Sequence, residues 1–230
     1  MPRRTLLTIV FVVALFASLS VHAVQAGSSQ VETDSVQSGV CTVDISYQGY
    51  DNVHLAYQTA GCAGTPPYRL VVSTGGVTTT LAMVSGSGAY HHLGLSNGQT
   101  YAYSLADNTG FPVSGSNGVT LNGLLNGTLL FDETVEKRTL TAGKNVINIP
   151  DAITFSLRES IVNGEFDLTT SGTGMVHINQ STLNGYTSLI NHGSTTDLSI
   201  FVQDSQFTDF PVAIGAVSFV NNEFRRQVFL

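Results

Sequence analysis

The sequence predicts an all-β chain, a β-sandwich followed by a short parallel β-helix, on three observations. Only 11% of the 230 residues are charged, and two of the nine basic residues are Lys, so the residues that fill helical bundles and coiled coils are scarce. In the first half, apolar and polar residues alternate over short runs separated by turn residues. In the second half, a hydrophobe, two polar residues and a second hydrophobe recur about every 17–24 residues. The formal charge of −7 leaves no basic face to track phosphates, so no nucleic-acid partner is expected. The 42% of hydrophobic residues are enough to build a core, which excludes a disordered chain.

The elements follow in chain order. Met1 to Ala26 has the three parts of a secretory signal peptide: Arg3-Arg4, an apolar run from Leu6 to Leu19, and small residues at Ala23 and Ala26. Removing it takes the formal charge from −7 to −9, because the segment holds two Arg and no acid. No later stretch is apolar enough for a membrane span, so a secreted or cell-surface location is expected. Residues 27–39 are rich in Ser, Gln, Glu and Asp and are assigned as a polar linker.

Residues 40–112 carry the period-2 runs. Val43, Ile45 and Tyr47 share one parity, as do Val53, Leu55 and Tyr57; Leu70 with Val72, and Tyr101 with Tyr103 and Leu105, repeat the pattern. Turn clusters lie between them, among them Gly75-Gly76, Ser96-Asn97-Gly98 and Asp107-Asn108-Thr109-Gly110. Cys41 and Cys62 allow one pairing, and in an oxidising compartment they predict a structural disulfide.

This segment resembles a known module. Gly64-Thr65-Pro66-Pro67-Tyr68, and then the run Gly94-Leu95-Ser96-Asn97-Gly98-Gln99-Thr100-Tyr101 through Asp107-Asn108-Thr109-Gly110, resemble the SprB-type repeat of bacterial surface adhesins. The resemblance implies an immunoglobulin-like sandwich used in display or adhesion. Thr78 to Tyr90 departs from that pattern, being longer and more apolar.

Residues 113–230 are assigned to the solenoid. Leu157 to Gly164 aligns with Ile178 to Gly185, and Val202 to Phe207 and Phe219 to Phe224 continue the series. Stacking then predicts one inward column of Leu157, Ile178, Val202 and Val220, and a second of Val162, Leu183, Phe207 and Phe224. Ser160, Ser181 and Ser205 are expected to form a polar ladder. Over residues 120–230 the pattern resembles right-handed parallel β-helix repeat proteins, many of which are polysaccharide lyases or hydrolases.

Candidate chemistry is sparse. One outward column is predicted as Glu159, Gln180, Asp204 and Asn222, which puts Glu159 and Asp204 two coils, or about 9.6 Å, apart. That is near the upper end of an inverting acid–base pair, and the two are the carbohydrate-site candidates. Adjacent side chains on a strand face opposite ways, so His91 and His92 are not expected to share a metal, and His177 and His192 stand alone in sequence. No catalytic residue, cofactor or metal is therefore assigned.

The expectation is a secreted, non-catalytic protein that contacts glycans or surface proteins. The alternatives are a carbohydrate-active β-helix enzyme and a structural subunit or N-terminal piece of a longer adhesin. No polar cap follows the last coil signal before Leu230, which predicts self-association or a capping partner at the C-terminal solenoid end.

Overall fold

Short runs of β-branched and aromatic residues, punctuated by Gly, Asn and Asp, leave the chain few routes to a helix, and none forms among the described residues. The computed structural model describes residues 39–193, 198–209 and 211–225. The signal-peptide assignment, all of the linker before Gly39, and the last five residues of the expected solenoid end lie outside the described residues.

Seven strands make the first part: β1 (Thr42–Gln48), β2 (Asn52–Gln58), β3 (Tyr68–Thr74), β4 (Val77–Val84), β5 (Gly88–Leu93), β6 (Thr100–Ala106) and β7 (Asn117–Thr120). They form two antiparallel sets, β1-β2-β5 and β4-β3-β6-β7. Val43, Val53 and Leu55 from one set meet Leu70, Val72, Tyr101, Tyr103 and Leu105 from the other in a buried core. The period-2 expectation holds for these residues. The apolar excess between Thr78 and Tyr90 supplies β4 and the start of β5, with Val84 in the same core.

Tyr47 departs from its expected parity. The β1–β2 register shifts between Ile45 and Tyr47, an irregularity that takes up one extra residue. The shift moves Tyr47 to the opposite sheet face, where it is fully buried in the solenoid core rather than the sandwich core. Ser46, inside the irregularity, donates from Oγ to the His54 carbonyl at 3.1 Å.

Cys41 and Cys62 form the expected disulfide, closing the open end of the β1–β2 hairpin across a separation of 21 residues. A loop of that size constrains the unfolded chain by about 3 kcal/mol. Replacing both cysteines with Ser is therefore expected to lower unfolding free energy by about that amount in urea titrations. An unchanged midpoint would show that the bridge contributes nothing.

The remaining strands are β8 (Asn126–Thr128), β9 (Glu133–Glu136), β10 (Thr139–Ile149), β11 (Thr154–Arg158), β12 (Ile161–Thr170), β13 (Met175–Asn179) and β14 (Thr182–Asn184). They continue as β15 (Thr187–Asn191), β16 (Ile200–Gln203), β17 (Gln206–Phe207), β18 (Val212–Ile214), β19 (Val217–Val220) and β20 (Glu223–Phe224). Parallel pairing stacks them into a β-solenoid of about four turns over residues 126–224. One face is β9-β11-β13-β16-β19; β8, β10, β12, β14, β17 and β20, with β15 and β18, belong to the other sheet. That second sheet is continuous with the sandwich. β8 pairs antiparallel with β1 and parallel with β10, so β5-β2-β1 runs on into the coils. At this joint a Cβ on Gly127 would lie 2.2 Å from the Ser46 carbonyl oxygen, so only glycine allows the two backbones to meet.

Two of the predicted columns need a correction in the last coil. Leu157, Ile178 and Val202 align as expected, but Phe219 follows them, not Val220. Val220 lies opposite Gln203 and is 48% exposed. The column of Glu159, Gln180 and Asp204 likewise continues to Asn221, not Asn222. These residues, with Lys137, all sit in left-handed backbone at φ 47–54°, forming one corner of every coil. Asn221-Asn222 made the register ambiguous in sequence, because either asparagine tolerates that corner. The column of Val162, Leu183, Phe207 and Phe224 holds in register, with the first three buried and Phe224, on the last described coil, 39% exposed.

The serine ladder forms, and its geometry shows why serine recurs. Ser160, Ser181 and Ser205 are each buried beside the left-handed corner. Each hydroxyl donates to the carbonyl two residues back, at 2.7–2.9 Å. Each Oγ also accepts an N–H from the coil before it: Arg138 N–H to Ser160, Ser160 N–H to Ser181, and Ser181 N–H to Ser205. Asn222 ends the series, accepting the Ser205 N–H on Oδ1 at 2.9 Å. Every buried polar group in the ladder is thereby satisfied.

Candidate functional site

Alternation on the five-stranded face dictates its outer surface. Val135, Leu157, Ile178, Val202 and Phe219 point into the core or pack against it, so their neighbours point outward. One outer column reads Thr134, Ser156, His177, Phe201 and Ser218; the other reads Glu136, Arg158, Asn179, Gln203 and Val220. Between them lies a groove of about 440 Å³ lined by side chains including Arg158, Glu159, His177 and Phe201. The His177 and Phe201 rings stack at 5.3 Å and 11°, set by the coil repeat. Burial, and then the Arg158 charge, hold the His177 imidazole below the usual histidine range, so it is neutral at physiological pH.

Glu159 and Asp204 do lie in one column, two coils apart, but both occupy left-handed corners. Their backbone N–H groups bridge to the next coil, at 3.0 Å to Asn179 and Val220 carbonyls respectively. Glu159 lines the groove and lies 3.8 Å from Lys137 Nζ. Asp204 is not among the groove-lining residues and accepts a hydrogen bond from Gln203 Nε2 at 2.9 Å. Glu159 thus lines the groove, and Asp204 stands beside it through its bond to groove-lining Gln203. The structure adds the His177–Phe201 pair, which sequence spacing left apart.

A second constellation sits where the sandwich meets the solenoid. β2 and β5 place His54 directly opposite His91, and Glu133 enters at the start of β9. The His54 and His91 Nε2 atoms are 3.2 Å apart. Glu133 Oε2 lies 3.5 Å from His54 Nε2 and 3.9 Å from His91 Nε2. Side-chain exposure is 0% for His54, 4% for Glu133 and 22% for His91. Asn52 Nδ2 donates to Glu133 Oε1 at 2.9 Å, and the Leu130 N–H donates to His54 Nδ1 at 3.1 Å. Phe131 stacks on His91 at 5.3 Å and 9°. Tyr47 packs beside His54, and its buried hydroxyl has no hydrogen-bond partner among the described residues. Burial, then the nearby Glu133 and Asp51 charges, push the Tyr47 phenol well above its ordinary range.

His92 turns the other way, as strand geometry requires, with Nδ1 at 3.0 Å from Tyr103 Oη. Burial holds both His91 and His92 below the usual range; for His91 the His54 ring adds to this and Glu133 opposes it. Sequence reasoning separated His91 from His92 correctly and missed the partnership with His54. The missing signal was strand register, together with the fact that both faces of β2 are covered: Val53, His54 and Leu55 are all fully buried.

No known protein family, curated protein sequence or solved structure matches this chain.

Proposed function

We propose that this is a secreted, non-catalytic protein that contacts glycans through the outer groove of its solenoid. The observation that carries the reading is the His177–Phe201 ring pair, set beside Arg158, Asn179 and Gln203 on a rigid sheet. Rings supply an apolar platform for sugar C–H faces, and the amides and guanidinium supply hydrogen bonds that orient hydroxyls. The disulfide is consistent with an extracellular setting. An immunoglobulin-like module of the adhesin type fits the strand orders β1-β2-β5 and β4-β3-β6-β7.

A glycan array probed with the purified full chain tests the reading. Phe201→Ala and Arg158→Ala are each expected to weaken binding about tenfold or more, while Asp204→Ala leaves it unchanged. Cleavage of any bound polysaccharide, abolished by Glu159→Ala, would instead establish the enzyme. Binding that is indifferent to Phe201 and Arg158 would remove this groove from the function.

A further inference from the structure

We infer that His54, His91 and Glu133 form a binding site for a divalent zinc-type ion that fastens the sandwich to the solenoid. Two independent features of the cluster lead there.

The first is spacing. Three ligand atoms converge at separations of 3.2, 3.5 and 3.9 Å. Zinc bonds of 2.0–2.1 Å in tetrahedral geometry put ligand atoms about 3.3 Å apart, whereas cis ligands of an octahedron would be about 3.0 Å apart. The two Glu133 contacts are too long for hydrogen bonds, which close at 2.7–3.2 Å. The 3.2 Å His54–His91 contact is a hydrogen bond in the metal-free cluster. The three separations together also match the edges of a tetrahedral face, and the two long Glu133 contacts have no hydrogen-bond explanation. Two imidazoles and one carboxylate are also a donor set that suits zinc, with one position left over.

The second is charge. Glu133 is a buried carboxylate, and among the described residues no Lys or Arg pairs with it. A buried charge without a counter-charge is strongly disfavoured. Asn52 supplies one hydrogen bond to the oxygen that faces away from the histidines, as an outer partner does for a ligating carboxylate. A dication would neutralise Glu133 and use both Nε2 lone pairs.

Two contacts must give way: the hydrogen bond between the two Nε2 atoms, which ligation replaces, and one to the Leu130 peptide. The Leu130 N–H donates to His54 Nδ1, which fixes the ring proton on Nε2. Ligation through Nε2 moves that proton to Nδ1, so the Leu130 peptide has to turn. Leu130 lies in the loop between β8 and β9, outside either ladder. Zinc loading is thus coupled to a local change in that loop. The ligands themselves come from β2, β5 and β9, so the ion would join strands of both parts of the molecule.

The test uses the full chain, stripped with chelator and titrated with zinc sulfate, with cobalt as the spectroscopic probe. One equivalent per chain, intense visible cobalt bands of tetrahedral type, and a Leu130 amide resonance that shifts on zinc addition are expected. His91→Ala, at the most exposed ligand, should abolish stoichiometric binding while circular dichroism confirms the fold. Asn52→Ala should weaken zinc binding roughly 10–100-fold. His177→Ala and His192→Ala should bind as the parent does. No retained zinc in the parent, or binding that survives His91→Ala, overturns the site. Glycan binding by the groove is scored separately, so failure of either reading leaves the other standing.

Discussion

Gly164→Ala is expected to lower unfolding free energy by about 3 kcal/mol or more. Gly164 sits at φ +123°, a region that residues with a Cβ rarely enter. It also faces the backbone of the coil before it: a Cβ would lie 2.2 Å from the Gly143 carbonyl oxygen and 2.6 Å from its nitrogen. Neither atom is a flexible side chain that can move aside. The β10–β12 ladder would have to open next to the irregularity between Leu140 and Gly143, and the Phe166 core position lies two residues on. Gly185 repeats the arrangement one coil later, with its Cβ position 2.4 Å from the Gly164 carbonyl oxygen. Gly86→Ala is the control. Its Cβ position is open, and the change should stay within about 0.5 kcal/mol. Urea unfolding midpoints of the three proteins decide the matter, and a Gly164→Ala protein as stable as the parent would sink the account of that corner.

Phe155→Ala is expected to cost about 3–5 kcal/mol, whereas Phe201→Ala should cost about 1 kcal/mol or less. The two rings belong to the same solenoid face, two coils apart, but to opposite sides of it. Phe155 is fully buried, facing Phe166 across the coil at 6.4 Å, and its removal leaves a cavity that parallel ladders on both sides hold open. Phe201 lies outside, against His177, where water can fill the vacated space. The contrast also separates stability from binding. Phe201→Ala should melt close to the parent yet lose glycan binding, while Phe155→Ala should do the reverse at temperatures where it remains folded. Equal losses of stability would mean that the ring pair is part of the core, not a contact surface.

Much of the solenoid was legible because its inward columns are written as a repeat. Leu157, Ile178 and Val202 recur with the same neighbours, and serine recurs where a buried hydroxyl can bridge a corner. The register slipped only at Phe219, where the coil shortens and two asparagines offer the same corner. In the sandwich, alternation named the core, but one irregularity at Ser46 was enough to send Tyr47 to the other face. A one-residue shift reverses every side chain beyond it, and nothing local in Asp44-Ile45-Ser46-Tyr47 announces it.

The sequence by itself determined the all-β class, the repeat, the disulfide pair and most of the inward positions. These depend on local periodicity and on residue types that favour strands and tight corners. Only the tertiary structure decided that the sandwich sheet runs on into the solenoid, that His177 lies over Phe201, and that His54, His91 and Glu133 converge. Each of these joins residues far apart along the chain through strand register. Register is set by packing across the whole sheet, and no window of sequence contains it.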